Sequence, residues 1–110
     1  MKQGEIWRAN LNPSHGSEQA GTRPVVIVSG NLLNANLPIV IMMPLTSRIK
    51  NYKGHPVLEP SKSNGLKARS EILVFHVRSV AKDRLQQKIG RVEPEELKQL
   101  VKTLNDILTF

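Results

Sequence analysis

Gly16-Ser17-Glu18-Gln19-Ala20-Gly21-Thr22-Arg23-Pro24-Val25-Val26-Ile27-Val28-Ser29 is the stretch on which the fold turns. The apolar run that opens at Val25 leaves no polar position for a surface face, so it reads as a central strand buried on both sides. Pro24 fixes its own φ and drives Arg23 towards an extended conformation. Glycines at 16 and 21 let the polar loop before it turn sharply. The result is one arginine delivered to the mouth of a buried strand, beside a loop carrying Glu18 and Gln19. Such an arginine either binds an anion or phosphate or simply faces solvent.

Working outward, residues 5–11 alternate, with Ile6, Arg8 and Asn10 on one face and Trp7, Ala9 and Leu11 on the other. That predicts a strand with one buried face. A polar loop over 12–22 leads into the strand at 24–28. A short helix is expected over 29–37, with Ser29 as N-cap and Pro38 as its stop. Residues 39–45 form an apolar strand interrupted by Pro44, and 46–55 a second polar loop. A short strand at 56–59, a turn centred on Ser63-Asn64-Gly65, a strand over 71–80 and another over 88–92 follow. Glu93-Pro94-Glu95-Glu96 opens a helix, with proline at the first helical position and acids at the positive end of the dipole. Leu97, Leu100, Val101, Leu104, Ile107 and Leu108 give it one apolar face for the sheet, with a dimer interface as a further use. Short strands with one late helix predict a small curled antiparallel sheet or barrel capped by that helix.

At 110 residues the chain reads as one domain, 1–110, with a single modest core. Sixteen Lys and Arg against nine Asp and Glu give a formal charge of +7, which favours an acidic partner: nucleic acid, an acidic protein or an anionic surface. Trp7, Tyr52, Phe75 and Phe110 are too few for a broad base-stacking platform. The absence of cysteine excludes disulfides and thiolate metal sites. No run approaches a membrane span, and Met1-Lys2-Gln3-Gly4-Glu5 lacks the apolar stretch of a signal peptide. A cytoplasmic protein with no membrane partner is expected.

Gly4-Glu5-Ile6-Trp7, Asn12-Pro13, the run from Gly16 to Ser29, Pro44-Leu45-Thr46-Ser47, Val77-Arg78-Ser79-Val80 and Val92-Glu93-Pro94-Glu95-Glu96-Leu97 occur in order over nearly the whole chain. Together they resemble the MazF/PemK family of toxin endoribonucleases. The resemblance implies a mainly β fold with α, an SH3-like small barrel of antiparallel strands with a C-terminal helix, assembled as a homodimer. It implies the toxin of a type II toxin–antitoxin system. The implied activity is sequence-specific, metal-independent cleavage of single-stranded RNA, often mRNA, to 2′,3′-cyclic phosphate and 5′-hydroxyl ends, with no cofactor. The implied protein partner is a cognate antitoxin whose acidic or disordered tail occupies the RNA groove.

Such cleavage uses the ribose 2′-oxygen as nucleophile, so the protein must manage two proton transfers and the charge of a phosphorane. By resemblance Arg23 and Thr46 are the catalytic pair. A guanidinium matches two phosphorane oxygens, and its pKa above about 12 favours charge stabilisation over general-base work. On the residues alone, Thr46 is either a phosphate donor or a turn hydroxyl bonding its own backbone. Ser17, Glu18 and Gln19 are expected at the RNA, with Glu18 alternatively only orienting Arg23. Ser47, Arg48, Lys50 and Lys53 form the basic edge of the second loop, either solvated or binding phosphates. His15, His55 and His76 open a second acid–base route, which needs two of them to converge.

Many relatives carry an acid, Gln, an apolar residue and a basic residue before Val80; here the run is Phe75-His76-Val77-Arg78. Phe75 is either a base-stacking ring or a core aromatic, and His76 either a base-edge donor or solvent-facing. With Arg78 they complete the expected RNA contacts, and the cut sequence does not transfer from relatives. The competing readings are a gyrase-binding toxin of similar barrel fold without RNase activity, in which the terminal helix dominates, and an RNA-binding relative that does not cleave.

Overall fold

The computed structural model describes residues 1–11 and 21–109. Among these, seven strands form an antiparallel sheet: β1 (Glu5–Asn10), β2 (Thr22–Ile27), β3 (Ile39–Thr46), β4 (Val57–Leu58), β5 (Ser70–Ile72), β6 (Arg78–Ala81) and β7 (Leu85–Arg91). The order is β4-β5-β3-β2-β1-β7, with β6 also paired to β3. Two helices accompany them, α1 (Asn31–Asn36) and α2 (Pro94–Thr109).

β2 lies between β1 and β3, as its unbroken apolar run requires. Val26 joins a core with Ile6, Met43, Leu45, Val74 and Leu100. Val25 and Ile27 join a second core with Ala9, Leu11, Val40 and Met42. Successive side chains of a strand point to opposite faces, so β2 and β3 feed both cores. β1 was expected to bury one face; lying between β2 and β7, it buries a residue on each, Ile6 in the first core and Ala9 in the second. Glu5 ties β1 to its surroundings. Burial pushes its carboxyl up, but the Trp7 indole N–H, the Lys2 amide and Lys88 Nζ at 3.1 Å together lower it to about 2.

β3 curls the sheet by changing partners. On one edge, Ile39 to Met42 pair with β6, whereas Leu45 and Thr46 pair with β5. The change falls at Met43 and Pro44, where proline has no N–H to offer a continuous ladder. The single strand expected over 71–80 is therefore two strands. Between Ile72, opposite Leu45, and Arg78, opposite Met42, five residues (73–77) face only two (43–44). The surplus leaves the sheet as a 3₁₀ turn, Val74–His76, much as a bulge expels an unpaired residue. The antiparallel half-barrel with a C-terminal helix realises the expected architecture.

α1 is capped by Gly30 rather than Ser29. The Ser29 hydroxyl instead bonds Asn34 Oδ1 and accepts the Ile41 amide at 2.9 Å, tying the helix to β3. α2 begins as its sequence dictates: the Glu96 carboxylate accepts the Glu93 amide at 2.7 Å, closing a capping interaction around Pro94. Its apolar residues divide, however. Leu100 is buried and Leu97 and Leu104 pack against the core, while Val101 is 50% and Leu108 75% exposed.

The turn at Ser63-Asn64-Gly65 forms as expected, with the Asn64 Oδ1 accepting the Ser61 and Leu66 amides at 3.0 and 2.9 Å. It presses against β7, where the Arg91 amide donates to Ser63 O at 2.9 Å. Gly65 has φ +66, and a Cβ there would stand 1.9 Å from Ile89 O. Gly65→Ala is expected to destabilise by about 3 kcal/mol and lower Tm by roughly 15 °C. Thermal unfolding checks this; a shift below a few degrees would mean that turn and strand separate freely.

Candidate active site

The antiparallel register pairs Val25 of β2 with Pro44 of β3. Two residues further along each strand, where that ladder ends, stand Arg23 and Thr46. Continuing the register sets them opposite each other at the ends of two strands whose inner portions are fully buried. Both line a groove of about 570 Å³. Arg23 is half-buried, with its Cα paired to Ala9 of β1. Thr46 pairs with Glu71 of β5 on its other side. The Thr46 Oγ1 accepts the Arg48 amide at 3.1 Å. The turn bond considered from sequence is thus present, and it leaves the hydroxyl hydrogen for a second partner.

The basic loop 47–55 is organised by a residue the sequence reading passed over. Glu71 is 0% exposed. Its carboxylate accepts the Lys50 and Asn51 amides, each at 2.7 Å, the Tyr52 amide at 3.3 Å, and His55 Nδ1 at 2.8 Å. A carboxylate only accepts, so Nδ1 carries the proton in that last bond. Asn51 has φ +58, a left-handed conformation that asparagine tolerates and that turns consecutive amides towards one anion. Burial pushes the Glu71 carboxyl up, but the Asn51 amide, the His55 ring and the Lys50 and Tyr52 amides outweigh it and hold it below the usual carboxylate range.

An aromatic corner closes the groove beside this loop. Phe75 and Tyr52, each 47% exposed, meet edge-to-face at 5.1 Å. His55 and His76 stand 4.6 and 4.8 Å from the Phe75 ring. Phe75 is therefore not a core aromatic: the 3₁₀ turn pushed off the edge of β3 carries it, with half-buried His76, into the groove lining. Five cations, Arg8, Arg23, Arg48, Lys50 and Lys67, also line the groove, and among the described residues no carboxylate does. Such a surface attracts a polyanion.

The groove thus brings together Arg23, Thr46, Ser47, Arg48, Lys50, Phe75 and His76. Lys53 and Arg78 are exposed but do not line it. His55 is withdrawn from the groove by Glu71, so among the described residues the two-histidine route has only His76 at the lining. His15, Ser17, Glu18 and Gln19 lie outside the described residues.

Comparison with known proteins identifies the family. The family model of PemK-like, MazF-like toxins of type II toxin–antitoxin systems matches residues 2–108. The chain belongs to that family. It is 36% identical over 109 residues to endoribonuclease MazF9 of Mycobacterium tuberculosis, covering 94% of this chain and 92% of the relative. It is likewise 36% identical over 102 residues to endoribonuclease MazF of Staphylococcus saprophyticus, covering 91% and 84%. The crystal structure of MazF from Deinococcus radiodurans superposes with a TM-score of 0.84 at 25% identity, covering 100% of this chain and 97% of that one. A mycobacterial endoribonuclease solved with its cognate antitoxin shares the fold, with a TM-score of 0.81, 22% identity and coverage of 98% and 94%.

Within this PemK/MazF frame, sequence reasoning missed Glu71, Arg8, Lys67 and Tyr52. Arg8 carried a legible signal, a charge on the strand face begun by Ile6. Lys67 carried none, since its place depends on the turn that Gly65 docks on β7.

Proposed function

We propose that the chain is a metal-independent endoribonuclease, the toxin of a type II toxin–antitoxin pair, and that the groove is its active site. The observation that carries this reading is that Arg23 and Thr46, near the ends of two adjacent strands, line one groove together with other cations. Single-stranded RNA enters the groove with its backbone on the cationic lining. The 2′-oxygen attacks the neighbouring phosphorus, the bond from phosphorus to the 5′-oxygen breaks, and the 2′ proton is in net terms returned to that 5′-oxygen. Arg23 spans the phosphorane oxygens and neutralises their growing charge, and the Thr46 hydroxyl donates to the same group. Ser47, Arg48 and Lys50 hold the backbone, Lys53 adds charge at the loop's outer side, and Phe75 and His76 meet the bases. Ser17, Glu18 and Gln19 also contact RNA, as does Arg78 on β6. The protein acts as a cytoplasmic homodimer, and an antitoxin with an acidic segment blocks the groove. Family membership and the relatives named endoribonucleases support this reading.

Incubation with single-stranded RNA in excess EDTA tests it. Cleavage with 2′,3′-cyclic phosphate and 5′-hydroxyl ends is expected. Strict dependence on added metal, or 5′-phosphate ends, overturns the mechanism; gyrase inhibition without RNA cleavage overturns the function. Thr46→Val removes both the hydroxyl donor and the acceptor of the Arg48 amide. It is expected to slow cleavage by about two orders of magnitude, while Thr46→Ser stays within about tenfold of the parent. Single-turnover rates on one RNA separate the two.

A further inference from the structure

One groove arginine has no part in this chemistry. Arg8 on β1 is paired with Pro24 of β2 and Gln87 of β7, and its neighbour Ala9 is paired with Arg23. It continues the strand face begun by Ile6, which enters the core with Val26 and Met43. An apolar residue would suit that face. Instead a half-buried arginine lines the groove, together with the apolar Pro24, Leu45, Leu66 and Leu73. Among the described residues its side chain makes no hydrogen bond or ion pair. An arginine partly withdrawn from water, in a groove whose described lining holds no carboxylate, lacks the compensation that buried charge normally has.

We propose that Arg8 is a substrate-binding residue that grips the RNA phosphate next to the scissile one. Two arginines held by neighbouring strands, both at the groove lining, then hold successive phosphates, Arg23 at the reacting group and Arg8 beside it. Their division of labour follows from their supports. Exposed Arg48 and Lys50 ride on a loop and provide general attraction. Arg8 is clamped between two strands, so it sets the position of the backbone along the groove. This inference rests on the ribonuclease reading of the groove.

The test uses the full chain and a single-stranded RNA containing the mapped cut site, with 2′-deoxyribose at the scissile nucleotide so that it binds without cleavage. Affinity is measured across a salt series. Arg8→Gln is expected to weaken binding about tenfold and to flatten the slope of log affinity against log salt by about 0.7, one phosphate contact on a single strand. On cleavable RNA the loss falls on KM more than on kcat, and the cut sites stay the same. Arg8→Lys keeps the charge and the slope. Arg8→Met suits the apolar wall and repeats the test should the Gln variant misfold. An unchanged slope and affinity overturn the proposal, as does an unchanged slope with broadened cut sites, which makes Arg8 a base reader. If the parent protein cleaves RNA but Arg8 variants bind normally, the phosphate grip fails alone. If the parent binds with an Arg8-dependent slope and never cleaves, the ribonuclease reading fails and the grip stands.

Discussion

Arg23→Ala is expected to lower the RNA cleavage rate by about three orders of magnitude, the range seen when a fixed donor to transition-state charge is removed. The reasoning is geometric. Arg23 sits just beyond the β2–β3 ladder, where continuing the register sets it opposite Thr46, on strands that feed both cores. Its position is therefore set before substrate arrives, and little reorganisation is needed as the phosphorane forms. Arg23→Lys is expected to recover only a small part of the rate, because an ammonium is a point charge and cannot span two oxygens as a planar fork does. Binding of uncleavable RNA should fall far less than the rate, since Arg48, Lys50 and Lys67 remain in the groove. Single-turnover kinetics beside a binding isotherm gives both numbers, with thermal unfolding as the control for folding. A rate loss below about tenfold would remove Arg23 from the reaction.

Glu71→Gln is expected to destabilise the protein by about 3 kcal/mol and to weaken RNA binding as well. The amide that replaces the carboxylate has one acceptor oxygen for four donors, and its NH₂ points a donor at another donor. Buried N–H groups left without partners cost about 1–3 kcal/mol each. The loop that loses its anchor carries Arg48 and Lys50, so the loss in the groove follows from the loss beneath it. The pH dependence has a definite sign. The folded carboxyl is held below its unfolded value of about 4.3, so its contribution is complete above that pH and disappears as pH falls through the lower folded value. The stability gap between parent and variant should be full at pH 7 and narrow below about pH 4. Denaturant melts at several pH values check this, and a gap that stays constant into acid would show that Glu71 acts by shape rather than charge.

The residues that were legible in the sequence are those whose position follows from local chemistry. The all-apolar run after Pro24 had to be central, and Pro94 with Glu96 had to open a helix. Thr46 was legible as the end of an apolar strand. Glu71 was not, because three of its four partners are backbone amides, which leave no mark in a sequence, and they lie some twenty residues away. The break at Val74–His76 was hidden for another reason: Val, Phe and His all suit a strand, and only the count of residues against β3 expels them. The six apolar residues of α2 suit a sheet-facing surface or a dimer interface equally, and periodicity does not divide them; the sheet covers only the side around Leu100 and leaves Val101, Ile107 and Leu108 outward.

β3 is the strand that β2, β5 and β6 all share, and Thr46 is its last residue. Opening any of the three neighbours leaves β3 paired with another, so its amides are expected to exchange with solvent most slowly of all. Loop 47–55, anchored from outside that ladder by the Glu71 carboxylate and by the Thr103 hydroxyl on Gly54 O at 2.8 Å, opens without disturbing it. The groove thus straddles a boundary in local stability. One wall stays folded through every partial opening of the molecule, and the other loosens and re-forms around it.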